Sequence, residues 1–284
     1  MNEQMSPEEL RRWYELEKRL AKRVRDSTKE TRAQVVKETY AELFREVPNH
    51  PQVTLGGTEQ AMHRIQIGFY RQVLGRGLRV LEVGCGIGVL AKALAPQCEH
   101  YVALDATEDV LKLAGSGHSN LEFVLGDAVE PDFPPESFDA VISGQVIEHL
   151  HPDDIPDHLD AVWRLLRPGG RYLFDTPCGL TGPHDVSRHF DEVATGFHLK
   201  EWRYREMVPL LLEHGFTRVR SPMLVPRLMS RAGPLLSLLL WPAPVKIWCE
   251  AALERVGNRK ARRILAKAIG VDNLWIVATK AERR

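Results

Sequence analysis

The chain has 284 residues, 44% of them hydrophobic, and Lys+Arg and Asp+Glu total 38 each, so its formal net charge is zero. That length fits one α/β domain with additions, and the apolar share supports a substantial core. The balanced charge argues against a broad electrostatic nucleic-acid partner. Cys85, Cys98, Cys178 and Cys249 show no CxxC spacing, which argues against a zinc site and fits a reducing cytosol. The N-terminus is charged and has no signal-peptide apolar core, and the longest apolar run, Leu235 to Trp241, stops at Pro242, short of a membrane span. A cytoplasmic protein is expected.

The first helix starts at Ser6-Pro-Glu-Glu9, with Ser6 as N-cap, Pro7 at N1 and Glu9 closing a capping box. Leu10, Trp13, Leu16, Leu20 and Val24 follow at helical spacing. Ser27 with Glu30 offers a second box before the stripe Val36, Tyr40, Leu43, Phe44 and Val47, which Pro48 and Pro51 end. These are either two packed surface helices or a lid over a crevice. Alternating strands and helices then predict a parallel doubly wound sheet. Strands are expected at Leu78–Gly84, His100–Ala106, Leu121–Asp127, Phe138–Gly144 and Arg171–Thr176. Helices are expected at Val89–Ala95, Glu108–Ala114 and Asp153–Leu166, with Arg167-Pro-Gly-Gly170 ending the last. A helix at Lys200–Glu213, a strand near Thr217–Leu224 and a final strand at Asn273–Lys280 complete the pattern.

Val80 to Leu94 carries an apolar strand into a glycine turn, Gly84-Cys-Gly86-Ile-Gly88, and on into an apolar helix. Glycines there permit positive φ and let backbone touch a ligand. Glu82 precedes the turn, Asp105 ends the second strand and Asp127 the third. Three strand-end carboxylates beside a glycine turn make a nucleoside cradle. Val89 stands where a dinucleotide fingerprint wants Gly or Ala, which counts against a nicotinamide dehydrogenase.

With Leu166-Arg-Pro-Gly-Gly170, these features resemble the class I S-adenosylmethionine (SAM) dependent methyltransferases, over roughly residues 70–225 and 273–280. The resemblance implies an α/β fold, a doubly wound, mostly parallel, seven-stranded Rossmann-like sheet. It implies an N-terminal helical lid at 1–65, a SAM-binding domain at 66–225 with 271–284, and a helical insertion at 226–270. It also implies SAM as cofactor. Gly84, Cys85 and Gly86 approach its methionine and ribose, and Glu82 orients the loop or bonds the amino group. Asp105, followed by Ala106, takes the ribose hydroxyls. Asp127 and the Ala128 N–H take the adenine edge, and the Gly144-Gln145 backbone faces the methionine end. Arg64 or Arg32 is a partner for the SAM carboxylate.

Methyl transfer to oxygen calls for a base, and histidine suits neutrality. His149 closes Gln145-Val-Ile-Glu-His149, similar to the Glu-x-x-Glu-His segment with which ubiquinone-pathway O-methyltransferases can hold a divalent metal. Gln145 is neutral where that segment has an acid, so no metal is expected. A second cluster, Pro183 to Trp202, contributes His184, Asp185, Arg188, His189 and His198. It is either a solvated polar loop or a substrate pocket with His189 or His198 as base and Arg188 reading an anion. No Asn-Pro-Pro-Tyr or Asp-Pro-Pro-Tyr follows the fourth strand, which argues against nucleic-acid base methylation.

Residues Pro226 to Gly270 hold nine Lys/Arg against two Glu. Pro244 starts a helix with Val245, Trp248, Ala252 and Val256 on one stripe. Asn258 caps another, with Ala261, Ile264, Leu265 and Ala268 opposed by Arg259, Lys260, Arg262, Arg263 and Lys267. That segment is a packed cap, a homodimer face or a peripheral membrane contact. The expected function is methyl transfer to a small-molecule or lipid-linked acceptor, O-methylation favoured. N- or C-methylation and a catalytically silent binding protein are the alternatives.

Overall fold

The computed structural model describes residues 6–48, 50, 57–222 and 240–282, the side chains of 57–59 excepted. Three helices lead: α1 (Pro7–Arg25), α2 (Lys29–Glu46) and α3 (Gly57–Leu74). Then come β1 (Arg79–Val83), α4 (Val89–Leu94), β2 (His100–Asp105), α5 (Glu108–Ala114), β3 (Leu121–Leu125) and β4 (Phe138–Gly144). They are followed by α6 (Ile155–Leu165), β5 (Leu166–Pro177), α7 (Tyr204–Glu213), β6 (Arg220–Pro222), β7 (Leu240–Pro242), α8 (Pro244–Glu254), α9 (Arg259–Ala268) and β8 (Asn273–Thr279).

The strands form one sheet in the order β3-β2-β1-β4-β5-β8-β6-β7. β3 through β5 are parallel, and β8 runs antiparallel to both β5 and β6. The expected mostly parallel sheet gains one strand, because Leu240–Pro242 adds antiparallel to β6 at the edge. Alternation along each strand feeds two cores. Leu81, Val83, Val102 and Val141 join α6 and α7 residues on one face, while Val80, Ala103 and Ile142 join Phe69, Tyr70, Leu90 and Leu94 from α3 and α4 on the other.

Several boundaries moved for local reasons. β5 begins at Leu166, ahead of the expected Arg171, and its register with β4 shifts between Phe138 and Ala140. Gly170 permits this turn, since a Cβ there would lie 2.7 Å from the Arg167 carbonyl. α7 starts at Tyr204 instead of Lys200, and Lys200 stacks its ammonium on the Trp202 ring at 3.8 Å. The box at Ser6 is present, but Ser27 caps nothing. Its hydroxyl donates to the Val24 carbonyl at 2.6 Å, finishing α1 instead of starting α2. The expected run Leu235–Leu239, Leu224 and Pro51 lie outside the described residues.

α8 turns opposite to its expected stripe. Trp248 is 79% exposed, and the buried face is Lys246, Glu250 and Leu253. Helix ends explain the inversion. Glu250 accepts from the Tyr204 and Arg205 N–H groups at the start of α7, at 3.1 Å each. Lys246 donates to the Ile269 and Gly270 carbonyls just after α9, at 2.7 and 2.9 Å. On α9 the basic residues are likewise not all solvated: Arg259 donates to the Gly182 carbonyl and Arg263 to the Thr181 carbonyl, each at 2.7 Å. Ile264 and Leu265 are left outward.

Candidate active site

β1 ends in a turn that needs glycine for three different reasons. Gly84, Gly86 and Gly88 all have positive φ, at 72°, 53° and 73°. A Cβ on Gly84 would strike Val146, and one on Gly88 would meet the Phe123 ring at 2.7 Å. A Cβ on Gly86 would meet nothing within 4 Å, because that residue opens on a cavity. The Gly86 N–H donates to Asp105 Oδ2 and the Thr107 N–H to Asp105 Oδ1, both at 2.9 Å. The second strand's acid therefore holds the first strand's loop. Burial raises the Asp105 pKa, against the lowering effect of these backbone bonds.

Glu82 is buried beneath the turn and accepts from Tyr101 Oη at 2.9 Å. Burial lifts its pKa to about 8, opposed by the Tyr101 bond and assisted by the Asp105 charge. Asp127, beyond the end of β3, accepts from the Val129 N–H at 2.7 Å. The Ala128 carbonyl pairs with His158 Nδ1 at 2.6 Å, which fixes that strand end from below.

A fourth acid, Asp175 near the end of β5, carries no role in the sequence reading. It is fully buried and receives Tyr70 Oη at 2.6 Å, Gln145 Nε2 at 2.6 Å, Gln66 Nε2 at 3.1 Å and Asn273 Nδ2 at 3.3 Å. Gln145 has φ 57° and its side chain is thereby committed to Asp175. The signal was available, since Asp175 lies near the end of its strand, two residues before Pro177.

His149 and His198 come together from separate segments, their ring centroids 5.0 Å apart. His149 Nδ1 pairs with the Phe197 carbonyl at 3.0 Å, and His198 Nδ1 with Glu201 Oε1 at 2.8 Å. Glu148 is fully buried between them and Thr176, whose hydroxyl donates to Oε2 at 2.8 Å, and its Oε1 has no hydrogen-bond partner. Burial pushes His149 down to about 3 and Glu148 up to about 7. For His198 burial acts downward, but the Glu201 bond and the charges of Glu148, Glu201 and Asp185 outweigh it and raise the ring to about 9. His189 stands apart on the exposed side of its loop, with Arg188 Nε donating to its Nε2 at 3.0 Å. Burial and Arg188 lower its pKa.

One cavity of about 1070 Å³ joins these parts. Glu82, Gly84, Cys85, Gly86, Asp105 and Ala106 line one end, with Asp127 and Ala128. Gly144, Gln145, His149, His189 and His198 line the remainder. The sequence reading missed the aromatic wall opposite: Trp13 from α1, Tyr40 and Phe44 from α2, and Phe197. Tyr40 lies 4.9 Å from Phe197, centroid to centroid, and 6.4 Å from His149. Glu17 braces the wall, accepting from Trp13 Nε1 at 2.6 Å and the Phe197 N–H at 3.1 Å. Arg32 lines the cavity and is bound to Asp154 and to the Ser27 carbonyl. Arg64 is exposed and does not line the cavity.

Residues 81–174 match the family model described as a methyltransferase domain. A probable S-adenosylmethionine-dependent methyltransferase of Mycolicibacterium smegmatis is 33% identical over 140 residues, covering 49% of this chain and 52% of that protein. Residues 81–174 are thus a methyltransferase domain, and the relative that matches around them is named as SAM-dependent. A fatty-acid O-methyltransferase of the same organism is similar to this methyltransferase domain at 38% identity over 124 residues, 40% of this chain and 43% of that protein. The chain thus spans about half the length of these relatives. A solved Haemonchus contortus phosphoethanolamine N-methyltransferase 2, in complex with SAM, shares the fold with a TM-score of 0.54 at 19% identity, over 91% of this chain and 60% of that one.

Proposed function

We propose that this protein transfers a methyl group from SAM to an oxygen of a small or lipid-linked acceptor with a large apolar part. One observation carries the reading: a single cavity is lined by the nucleoside cradle, by an aromatic wall and by Glu148, His149 and His198. The cradle fits the cofactor, since Gly86 leaves open space where any side chain would intrude. Asp105 offers two carboxylate oxygens to a vicinal diol. Asp127 and the Ala128 N–H take the adenine edge, and Gly84, Cys85 and Gly144 line the methionine end. Glu82 and Gln145 position these loops. When bound, SAM supplies a methyl group on a good sulfonium leaving group.

The chain's own contribution is to align the acceptor and deal with its proton. Trp13, Tyr40, Phe44 and Phe197 bury the acceptor's apolar part and exclude water. The helices of the 1–65 segment thereby act as a lid. The relative named as a fatty-acid O-methyltransferase supports an apolar acceptor methylated at oxygen. Among the histidines, His198 has, against burial, its pKa raised to about 9 by the Glu201 bond and neighbouring acids, and burial lowers His149 to about 3, so neither is matched to proton removal near neutrality. His189 remains neutral at the cavity's outer edge. The test is transfer of labelled methyl from SAM into lipid, phenolic and sugar extracts, followed by identification of the product. Incorporation into an apolar hydroxyl or carboxyl compound, lost in Asp105→Ala, is expected. Incorporation only at nitrogen or carbon overturns O-methylation.

A second reading concerns the 226–270 segment. No helix among the described residues is long and apolar enough to cross a membrane. Trp241, Trp248, Ile264 and Leu265 are nevertheless exposed, near Arg255, Lys260 and Lys267, which are also exposed. That combination favours contact with an anionic membrane surface, where a lipid-linked acceptor would be met. A homodimer through the same face is the competing use.

A further inference from the structure

We propose that Glu148, His149 and His198 bind a divalent first-row cation, zinc fitting best, at the acceptor end of the cavity. One ligand atom from each residue lies within 4.8 Å of the others. Zinc holds nitrogen and oxygen ligands at about 2.0–2.2 Å, which places neighbouring ligands roughly 3.3–3.6 Å apart, so the side chains need close by at most about 1.5 Å. Two histidines and one carboxylate with a further position open is a donor set suited to a metal that meets substrate.

The second observation is how the three side chains are held. Glu148 Oε2 takes the Thr176 hydroxyl, and Oε1, fully buried, has no hydrogen-bond partner. A buried carboxylate oxygen left that way is costly unless a cation completes it. His149 Nδ1 is anchored on a backbone carbonyl and His198 Nδ1 on the Glu201 carboxylate. Carbonyl and carboxylate partners of this kind orient metal-bound histidines and raise their basicity.

Gln145 has no part in the site, being turned to Asp175. The third ligand comes from a loop 49 residues after His149, at a spacing no local motif marks. A cation here would give an acceptor oxygen a positive charge to lie against and acidify its hydroxyl. That use rests on the methyl-transfer reading; the binding does not.

Protein stripped with a chelator should bind one equivalent of Zn²⁺ in isothermal titration calorimetry. Co²⁺ in its place should show the visible bands of a low-coordinate nitrogen and oxygen site. Glu148→Gln and His198→Gln should each weaken zinc binding beyond the about 10–100-fold that outer-shell changes cost, and Glu201→Gln should fall within it. His118→Ala, a surface histidine, should leave binding unchanged. SAM binding, measured on every variant, reports that the fold persists and tests the cofactor reading separately. No saturable zinc binding overturns the site. Binding that Glu148→Gln and His198→Gln leave unaltered, in variants that still bind SAM, overturns it equally.

Discussion

The two ends of the cavity are built in opposite ways. The cradle is assembled from the ends of neighbouring strands, and its parts hold one another through backbone: Gly86 to Asp105, Asp105 to Thr107, Asp127 to Val129. The proposed acceptor end is assembled from side chains far apart in sequence: Trp13, Tyr40, His149 and Phe197. A rigid sheet edge suits a ligand that does not change, while helix and loop side chains can be exchanged without disturbing it. The two ends should therefore fail independently.

Asp105→Ala gives the largest expected effect. It removes the proposed ribose contact and frees the Gly86 N–H, so SAM affinity should drop by about 1.5–3 kcal/mol, roughly 10–150-fold. Isothermal calorimetry with SAM and with NADH checks it. Undiminished SAM binding would remove Asp105 from the cofactor site, and tight NADH binding would revive a dehydrogenase.

Phe44→Ala and Tyr40→Ala probe the other end. Each should raise KM for an apolar acceptor by about 1–3 kcal/mol of lost burial, with SAM affinity unchanged. Steady-state kinetics with the acceptor found in extracts, beside SAM titrations, measures both. If SAM affinity falls as far as acceptor affinity does, the two ends are not separate and the aromatic wall closes over the cofactor as well.

A third difference lies in titration. Glu82, in the cradle, has a pKa raised from 4.5 to about 8 by burial. Between those values the folded chain keeps a proton that the unfolded chain releases, so stability from this group falls as pH rises and is lowest above about 8. Glu82→Gln removes that loss. The variant should melt a few degrees above the native chain at pH 9, by about 1–2 kcal/mol, with the gap closing toward pH 5. Melting curves at intervals of pH read this directly. A variant less stable than the native chain at pH 9 would mean that ionised Glu82, held by Tyr101, stabilises the fold.

The same contrast governs what could be read from sequence. Glycine turns and strand-end acids are local, so the cradle and the parallel order of the sheet were legible, down to Phe138–Gly144 and Glu108–Ala114. α3 was legible but passed over: Ile65, Phe69 and Val73 repeat at four-residue spacing, with Tyr70 and Leu74 beside them. The aromatic wall was not legible, because Trp13 and Phe44 read equally well as ordinary helix core. Nor was the pairing of Glu148 with His198, which depends on where the loop after β5 returns. The faces of α8 and α9 misled for a definite reason. Periodicity assigns apolar residues inward, but Glu250 and Lys246 are drawn in to cap the ends of two neighbouring helices.

That inversion leads to the smallest effect and the subtlest. With Trp248 and Ile264 outward and Lys260 and Lys267 beside them on α9, the segment presents apolar and basic groups together. Arg259 and Arg263 are spent on the 181–182 carbonyls, so only part of the basic excess is available to lipid. Each basic residue near an anionic surface contributes about 1 kcal/mol, and salt weakens it. The chain should float with phosphatidylserine vesicles at low salt and not with neutral ones, and Lys260→Ala should lower partitioning about fivefold. Arg263→Ala should change it less, because its guanidinium faces the protein, and should instead loosen the 181–192 loop. Equal loss in both variants would mean that α9 turns over on the membrane. No flotation at low salt would leave a dimer face as the use of these exposed tryptophans, to be sought by sedimentation with Trp248→Ala as the disrupting change.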